Sequence, residues 1–183
     1  ILIKKNKPSE IYFLAAVHSS SQDQNNKYSD LINSFNVNFN SPNYFLQSLC
    51  DFNKNCKFFY ASSSLIFKSS PKKLNENSSR LCLEPYAVFK NETMKLCNYY
   101  RKKKKLYINV GILFTHESEF RKNNFLSNKI ILQAIKNYKG SKQKLILGSI
   151  NTKVDWSYAY DTVDAILLIQ SDRFQGLRHF LIE

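Results

Sequence analysis

Three side chains of this sequence have the types and the spacing of an acid–base site for alcohol chemistry. Tyr86 and Lys90 are four residues apart, so a helix would place them on one face. An ammonium group beside a phenol favours the phenolate, which makes the tyrosine a base near neutral pH. Ser63 ends a short apolar segment upstream, and its hydroxyl can hydrogen-bond the oxygen that the tyrosine deprotonates. The sequence therefore predicts a site that removes a proton from a substrate hydroxyl.

Context separates this tyrosine–lysine pair from others with the same spacing. Pro85 is a favourable first residue of a helix, so it places the Tyr86 phenol on the first turn. Ser63 follows a predicted buried strand, and ligands of open α/β sheets bind at the carboxyl ends of strands. The spacing itself recurs without such context in the pairs Tyr99/Lys103, Tyr100/Lys104 and Tyr138/Lys142.

The elements that must position these groups alternate between strand and helix. Near-continuous apolar runs predict strands over residues 10–16, 57–61, 106–113 and 144–147. Helical spacing predicts helices opening at Ser41 and spanning residues 86–103, 125–138 and 161–170, with a loop over 68–80. This alternation is typical of an α/β fold, a parallel sheet with helices on both faces.

Composition excludes several classes of protein. With 43% hydrophobic residues in 183, the chain can bury a core, and no apolar run reaches the roughly 18 residues of a membrane span. No signal peptide is recognisable, although the chain begins with Ile1 and not Met. The net charge of +13 is the one feature that suggests nucleic-acid binding. The basic run 101–105 follows an apolar helical pattern, so we interpret it as a solvated helix end.

Cysteine and histidine spacing gives no metal site. None of the four cysteines forms a C-x-x-C pair, and no histidine lies at a ligand spacing from them. We expect free thiols in a reducing cytoplasm, without bound metal. A G-x-G-x-x-G turn and a P-loop are also absent from the sequence.

Several segments together resemble one known family. Residues 59–67, FYASSSLIF, are similar to its strand and active-site segment, and Asn75-Glu76 keeps the family spacing to Tyr86. Residues 111–118, GILFTHES, are similar to the octapeptide G-I-L-F-N-H-E-S. The chain thus resembles extended short-chain dehydrogenases/reductases that modify nucleotide sugars, most closely the GDP-mannose 4,6-dehydratases. The resemblance implies a Rossmann-like cofactor region over residues 1–113 and the start of a small substrate-binding region over 114–183.

The resemblance also implies roles for named residues. Ser63, Tyr86 and Lys90 would be catalytic, and the cofactor would be NADP, or NAD. The expected activity is that of a lyase: C4 oxidation of GDP-mannose, loss of water across C5 and C6, and return of the hydride to C6. The remaining implied contacts are Leu14, Ala15, Ala16, Lys90, His116 and Arg121 with the cofactor, and Ser64 and Lys129 with the substrate. The expected partners are a nucleotide sugar and further copies of the chain, without nucleic acid or membrane.

Departures from the family pattern leave alternatives open. Leu65 stands where the family has the glutamate that moves the C5 proton, and a leucine cannot transfer a proton. The first βαβ unit with its glycine motif has no counterpart, so we expect weak turnover from this chain alone. One alternative is an epimerase or reductase that needs only Ser63, Tyr86 and Lys90. The other is a non-catalytic remnant.

Overall fold

The computed structural model describes residues 2–18, 28–70, 72–148, 150–151, 153–171 and 180–182. Its strands are β1 (Glu10–Phe13), β2 (Lys57–Ser63), β3 (Ile108–Leu113), β4 (Thr115–Glu117), β5 (Trp156–Tyr158) and β6 (Phe180–Ile182). Its helices are α1 (Leu2–Asn6), α2 (Tyr28–Phe35), α3 (Ser41–Phe52), α4 (Pro85–Lys104), α5 (Leu126–Tyr138) and α6 (Ala159–Gln170). A π turn, Asn36–Asn40, joins α2 to α3, and a 3₁₀ turn, Ser64–Ile66, follows β2.

The main sheet is parallel, as the sequence predicts. Its order is β1-β2-β3-β6, and every neighbouring pair runs in the same direction. Strands β4 and β5 form a separate parallel pair. Because all the main strands point the same way, their carboxyl ends share one edge, and Ser63 ends β2 there beside Leu113 of β3.

Helices cover both faces of the main sheet, which confirms the expected Rossmann-like layering. One face packs under α3 and α4, through a buried cluster that includes Leu46, Leu49, Phe58, Tyr60, Met94, Cys97, Val110 and Ile112. The other face packs against α6, through Phe59, Ala61, Ile166, Ile169 and Ile182. The aromatic residues of β2 thus alternate between two cores, because successive side chains of a strand point to opposite faces.

Three sequence predictions differ from the structure. Residues 144–147 are not a strand: within the described residues they pair with no neighbour, and Ile146 is exposed. An apolar run needs a partner for its backbone groups, and periodicity alone could not supply one. The first strand ends at Phe13 and not at residue 16. Helix α3 begins at Ser41 as expected, but it continues a helical run from Tyr28 and does not open one.

Proline inside this helical run explains the π turn. Pro42 has no N–H to donate, and its ring crowds the carbonyl of Asn38, four residues earlier. The chain accommodates this with the wider turn of Asn36–Asn40. The released carbonyl of Asn38 accepts hydrogen bonds from Thr93 Oγ1 at 2.8 Å and from the Tyr60 hydroxyl at 3.4 Å. The irregular turn is thereby tied to both α4 and β2.

Candidate active site

Ser63 is positioned by the end of β2. The strand stops there because the chain enters the 3₁₀ turn of Ser64–Ile66, for which Ser63 is the N-cap. Its Oγ accepts a hydrogen bond from the Leu65 N–H at 3.3 Å, so the side chain is held at the carboxyl edge of the sheet. A serine at this place can offer its own hydroxyl proton to a ligand oxygen.

Tyr86 and Lys90 lie on the first turns of α4, which begins at Pro85 as the sequence predicts. Lys90 is only 1% exposed, and its Nζ donates a 2.8 Å hydrogen bond to the carbonyl of Ala61 on β2. The same Nζ lies 5.7 Å from the centroid of the Tyr86 ring and 5.0 Å from that of Tyr60. The helical spacing therefore brings the predicted pair together against the sheet.

Burial dominates the protonation of both groups. It raises the pKa of Tyr86, while a hydrogen bond with Ser63 lowers it by less. Burial also lowers the pKa of Lys90 from 10.5 to about 8. The direction for Tyr86 is opposite to the expected phenolate near neutral pH, because removing the phenolate from water outweighs its interactions with neighbours. The effect of Ser63 on this pKa nevertheless shows that the two predicted hydroxyls are neighbours.

The segment after β1 borders the same edge of the sheet. Leu14, Ala15 and Ala16 are exposed. A cavity of about 390 Å³ lies beside them, lined by Ile11, Tyr12, Phe13, Leu14, Ala15, Val37, Ser41 and Phe45. Its mainly apolar wall suits a flat organic ring better than a charged group.

The remaining predicted residues lie after β3. His116, on β4, donates from Nδ1 to the carbonyl of Phe114 at 3.0 Å. Arg121 is held by Glu117, with 3.4 Å between Nε and Oε2, and its guanidinium lies 3.9 Å from the centroid of the Phe125 ring. The positive charge of Arg121 contributes to lowering the pKa of His18. Among the described residues, no such electrostatic effect joins His116 to His18.

The two predicted substrate residues lie on different elements, and their role stays a prediction. Ser64 is half-buried and begins the 3₁₀ turn directly after Ser63. Lys129 is half-buried on the first turns of α5, and the described residues give no contact between it and Tyr86. Leu65, at the family glutamate position, has a 52% exposed side chain and supplies no group that transfers a proton.

Sequence reasoning missed two residues of this region. The ring of His18 lies against Tyr86 with 4.5 Å between centroids. Asn38 is fully buried, and its Nδ2 donates to the carbonyl of Val17, next to His18, at 2.8 Å. For Asn38, the available signal was Ser41-Pro42 within a helical pattern. A proline there frees the backbone carbonyl of the residue four positions earlier, which is Asn38.

Other classes of site find little support in the described part of the chain. No three His, Cys, Asp or Glu side chains of residues 2–18, 28–70 and the later described ranges cluster as metal ligands. All four cysteines carry free thiols, and burial raises the pKa of Cys97 to about 12. No helix among the described residues has the length and apolar character to cross a membrane.

Comparison with known proteins identifies the relatives of this chain. The family model of GDP-mannose 4,6 dehydratase matches residues 1–177. GDP-mannose 4,6 dehydratase of Drosophila melanogaster is 33% identical over 121 residues, 66% of this chain and 31% of that protein. GDP-mannose 4,6 dehydratase 1 of Arabidopsis thaliana is 36% identical over 118 residues, 64% of this chain and 33% of that protein. The aligned region is thus about a third of each curated relative.

Solved structures show the same fold at lower sequence identity. RMD from Pseudomonas aeruginosa, complexed with NADPH, matches 96% of this chain and 60% of its own with a TM-score of 0.80 and 19% identity. UDP-glucuronic acid 4-epimerase from Bacillus cereus, in complex with UDP-glucuronic acid and NAD, matches 96% of this chain and 53% of its own, also with a TM-score of 0.80 and 19% identity.

Proposed function

Because the chain belongs to the GDP-mannose 4,6-dehydratase family, we propose that its site exchanges a hydride and a proton with the C4 hydroxyl of a nucleotide sugar. One observation carries this proposal: Ser63, Tyr86 and Lys90 meet at the carboxyl edge of the parallel sheet, where Ser63 influences the pKa of Tyr86 and Lys90 Nζ lies 5.7 Å from the centroid of the Tyr86 ring. GDP-mannose is the proposed substrate, and the reducing cytoplasm is the proposed location. We also propose that the chain self-associates, which light scattering measures.

The residues fit the nicotinamide half of NADP or NAD. The apolar, exposed stretch of Leu14, Ala15 and Ala16 borders the site, and Lys90 lies beneath Tyr86 as a donor for a ribose hydroxyl. His116 and Arg121 are the proposed outer contacts. When bound, the nicotinamide accepts or returns the hydride of the C4 carbon. NADP is our first choice, and structurally similar proteins were solved with NAD or with NADPH.

Each side chain has a distinct part in this chemistry. Tyr86 takes the proton of the C4 hydroxyl when the carbon loses its hydride, and gives it back in the reverse direction. Ser63 donates a hydrogen bond to the same oxygen as it becomes a ketone. Lys90, with a pKa of about 8, carries a positive charge at neutral pH and stabilises the Tyr86 phenolate whenever it forms.

Leu65 favours a second candidate function. Loss of water across C5 and C6 needs a group that takes the C5 proton, and the exposed Leu65 side chain has none. Oxidation and reduction at C4 need only Ser63, Tyr86 and Lys90. A C4 epimerase or reductase is therefore the alternative to a complete dehydratase.

Cofactor binding by the purified chain is the first experiment. We follow NADPH fluorescence with and without GDP-mannose, in the wild type, Lys90→Met and the matched control Lys103→Met. Lys103 is exposed and pairs in sequence with Tyr99 as Lys90 does with Tyr86. We expect saturable binding that Lys90→Met weakens at least about tenfold, while Lys103→Met leaves it unchanged. A chain that is folded by circular dichroism and shows no saturation at millimolar NADPH contradicts the proposal.

Product analysis separates the two candidate functions. The wild type is incubated with GDP-mannose and NADP, and products are identified by mass spectrometry. A 4-keto sugar that keeps its C6 hydroxyl supports C4 redox chemistry alone, and a 4-keto-6-deoxy sugar supports the dehydratase. We expect Leu65→Glu to increase the 4-keto-6-deoxy product, with Leu65→Gln as the control that cannot take a proton.

A further inference from the structure

His18 is the one imidazole that contacts Tyr86 within the described residues. The two ring centroids are 4.5 Å apart, and the planes meet at 63°, so one ring lies edge-on to the other. His18 is exposed to solvent, whereas Tyr86 is half-buried. The imidazole therefore contacts both the phenol of the proposed site and solvent.

Buried polar contacts hold His18 in this place. Asn38 is fully buried and makes two hydrogen bonds with Val17, the residue before His18. Its Nδ2 donates to the Val17 carbonyl at 2.8 Å, and the Val17 N–H donates to its Oδ1 at 3.3 Å. The Asn38 carbonyl also accepts from Thr93 on α4, the helix that carries Tyr86. One asparagine thus fixes both sides of the contact between His18 and Tyr86.

The charges that face His18 keep its imidazole neutral. Partial burial, then Arg121 after β4, then Lys90 on α4 lower the pKa of His18 below its ordinary 6.5. The carboxylate of Glu117 is engaged with Arg121 and with the hydroxyl of Ser127. At neutral pH the imidazole consequently has a free nitrogen lone pair that can accept a proton.

We propose that His18 exchanges the proton of Tyr86 with solvent, directly or through one water molecule, and is a positioning residue for the chemistry at Tyr86. This inference rests on the proposed function. As carbon 4 of the sugar gives up its hydride to the bound cofactor, its hydroxyl gives its proton to the Tyr86 oxygen, while the original Tyr86 O–H bond breaks and an N–H bond forms on His18. The imidazolium then releases its proton to water, so Tyr86 stays a phenol and His18 is neutral again.

A titration of His18 tests this coupling without cofactor. The chain is labelled with ¹⁵N-histidine, and the His18 signals are assigned by their loss in His18→Gln. If the Tyr86 hydroxyl donates to the neutral imidazole, Tyr86→Phe should raise the midpoint of His18 towards 6.5. The control Tyr138→Phe, at a 93% exposed tyrosine, should leave it unchanged. Equal midpoints in the wild type and Tyr86→Phe overturn the proposal, whether or not the chain has turnover.

Turnover of GDP-mannose gives a second, chemical test. We expect His18→Ala to lower kcat about a hundredfold, with little change in KM, and added imidazole to restore part of it. Imidazole should not rescue Tyr86→Phe. Unchanged kcat in His18→Ala, or a loss that imidazole does not rescue, overturns the role of His18 and leaves the proposed function standing. Failure of the wild type to bind NADPH instead contradicts the proposed function.

Discussion

The sheet segment, residues 10–113, and the following segment, residues 114–138, bury their apolar residues very differently. In the sheet segment, β2 and β3 are covered from both sides, and α3 and α4 pack onto them through fully buried side chains. In the following segment, the 13-residue helix α5 has no buried residue, although its spacing is amphipathic. Its exposed apolar residues are Leu126, Ile131, Leu132, Ile135 and Tyr138.

Because of this difference, part of the predicted site lies on a helix that adds little to the stability of the chain. Ser63, Tyr86 and Lys90 lie on elements of the sheet segment, which has its own core. Lys129, the predicted substrate contact, lies on α5, whose apolar face has no partner within the described residues. We therefore expect substitutions in the sheet segment to change the free energy of unfolding and those on α5 to change it little. The division into regions at residue 113 stays a prediction.

The largest expected effect comes from the buried aromatic ring of Phe58. Phe58→Ala should lower the free energy of unfolding by about 3–5 kcal/mol, because a fully buried ring leaves a cavity. The matched change in the following segment, Ile135→Ala at a 45% exposed residue, should stay within about 0.5 kcal/mol. Urea unfolding followed by circular dichroism measures both, and equal losses would contradict the comparison.

Glycine substitutions sharpen the same contrast. A Cβ on Gly111 of β3 would lie 2.6 Å from Cζ of the buried Phe59 ring and 3.1 Å from Cδ1 of Ile182. We expect Gly111→Ala to destabilise the chain by about 2 kcal/mol, since the fully buried ring would have to shift. Gly148→Ala is the control, because nothing lies within 4 Å of its Cβ. A thermal melt in which the two variants shift equally would count against close packing around β3.

Lys90→Met should stabilise the chain while it weakens cofactor binding. The folded pKa of Lys90 is about 8 against an ordinary 10.5, so folding disfavours the ammonium. The wild type therefore loses stability as the pH falls from about 10.5 to about 8. At pH 7 we expect Lys90→Met to raise the free energy of unfolding by about 2 kcal/mol, a value that already allows for the lost hydrogen bond to Ala61. Near pH 11, where the lysine is neutral in both states, we expect no gain.

Chemical unfolding at several pH values measures this gain, with the exposed Lys103→Met as the control. If the gain in the free energy of unfolding did not decrease between pH 8 and pH 11, burial of the Lys90 ammonium would not be its cause. Stabilisation by removal of a functional group is expected where a site keeps a charge buried for its chemistry.

The smallest expected effect concerns the hydrogen bond at the π turn. Thr93→Val removes the donor at 2.8 Å from the Asn38 carbonyl, which keeps Tyr60 as a second donor at 3.4 Å. The loss should be about 1 kcal/mol. Ser127→Ala, which removes a half-buried hydrogen bond to Glu117 in the following segment, should cost less than about 0.5 kcal/mol. Denaturant midpoints in the reverse order would contradict the comparison.

The sequence by itself determined the helix–strand alternation and the pairing of two candidate site residues. The apolar runs around Phe59 and Val110 predict buried strands, and Pro85 predicts the start of α4. Because i and i+4 lie on one helix face, the pairing of Tyr86 with Lys90 could be predicted without coordinates. These features depend on neighbours along the chain, which a sequence displays directly.

Only the tertiary structure decided the contacts made across the sheet and their electrostatic result. Tyr86 was expected to be a phenolate near neutral pH, but burial raises its pKa, and burial is the sum of many distant residues. The run 144–147 looked like a strand, yet a strand exists only where another one offers its backbone. His18 meets Tyr86 because the side chain of Asn38 anchors Val17 from another element. Such contacts join residues far apart in sequence, and a local pattern shows at most that Pro42 frees the Asn38 carbonyl.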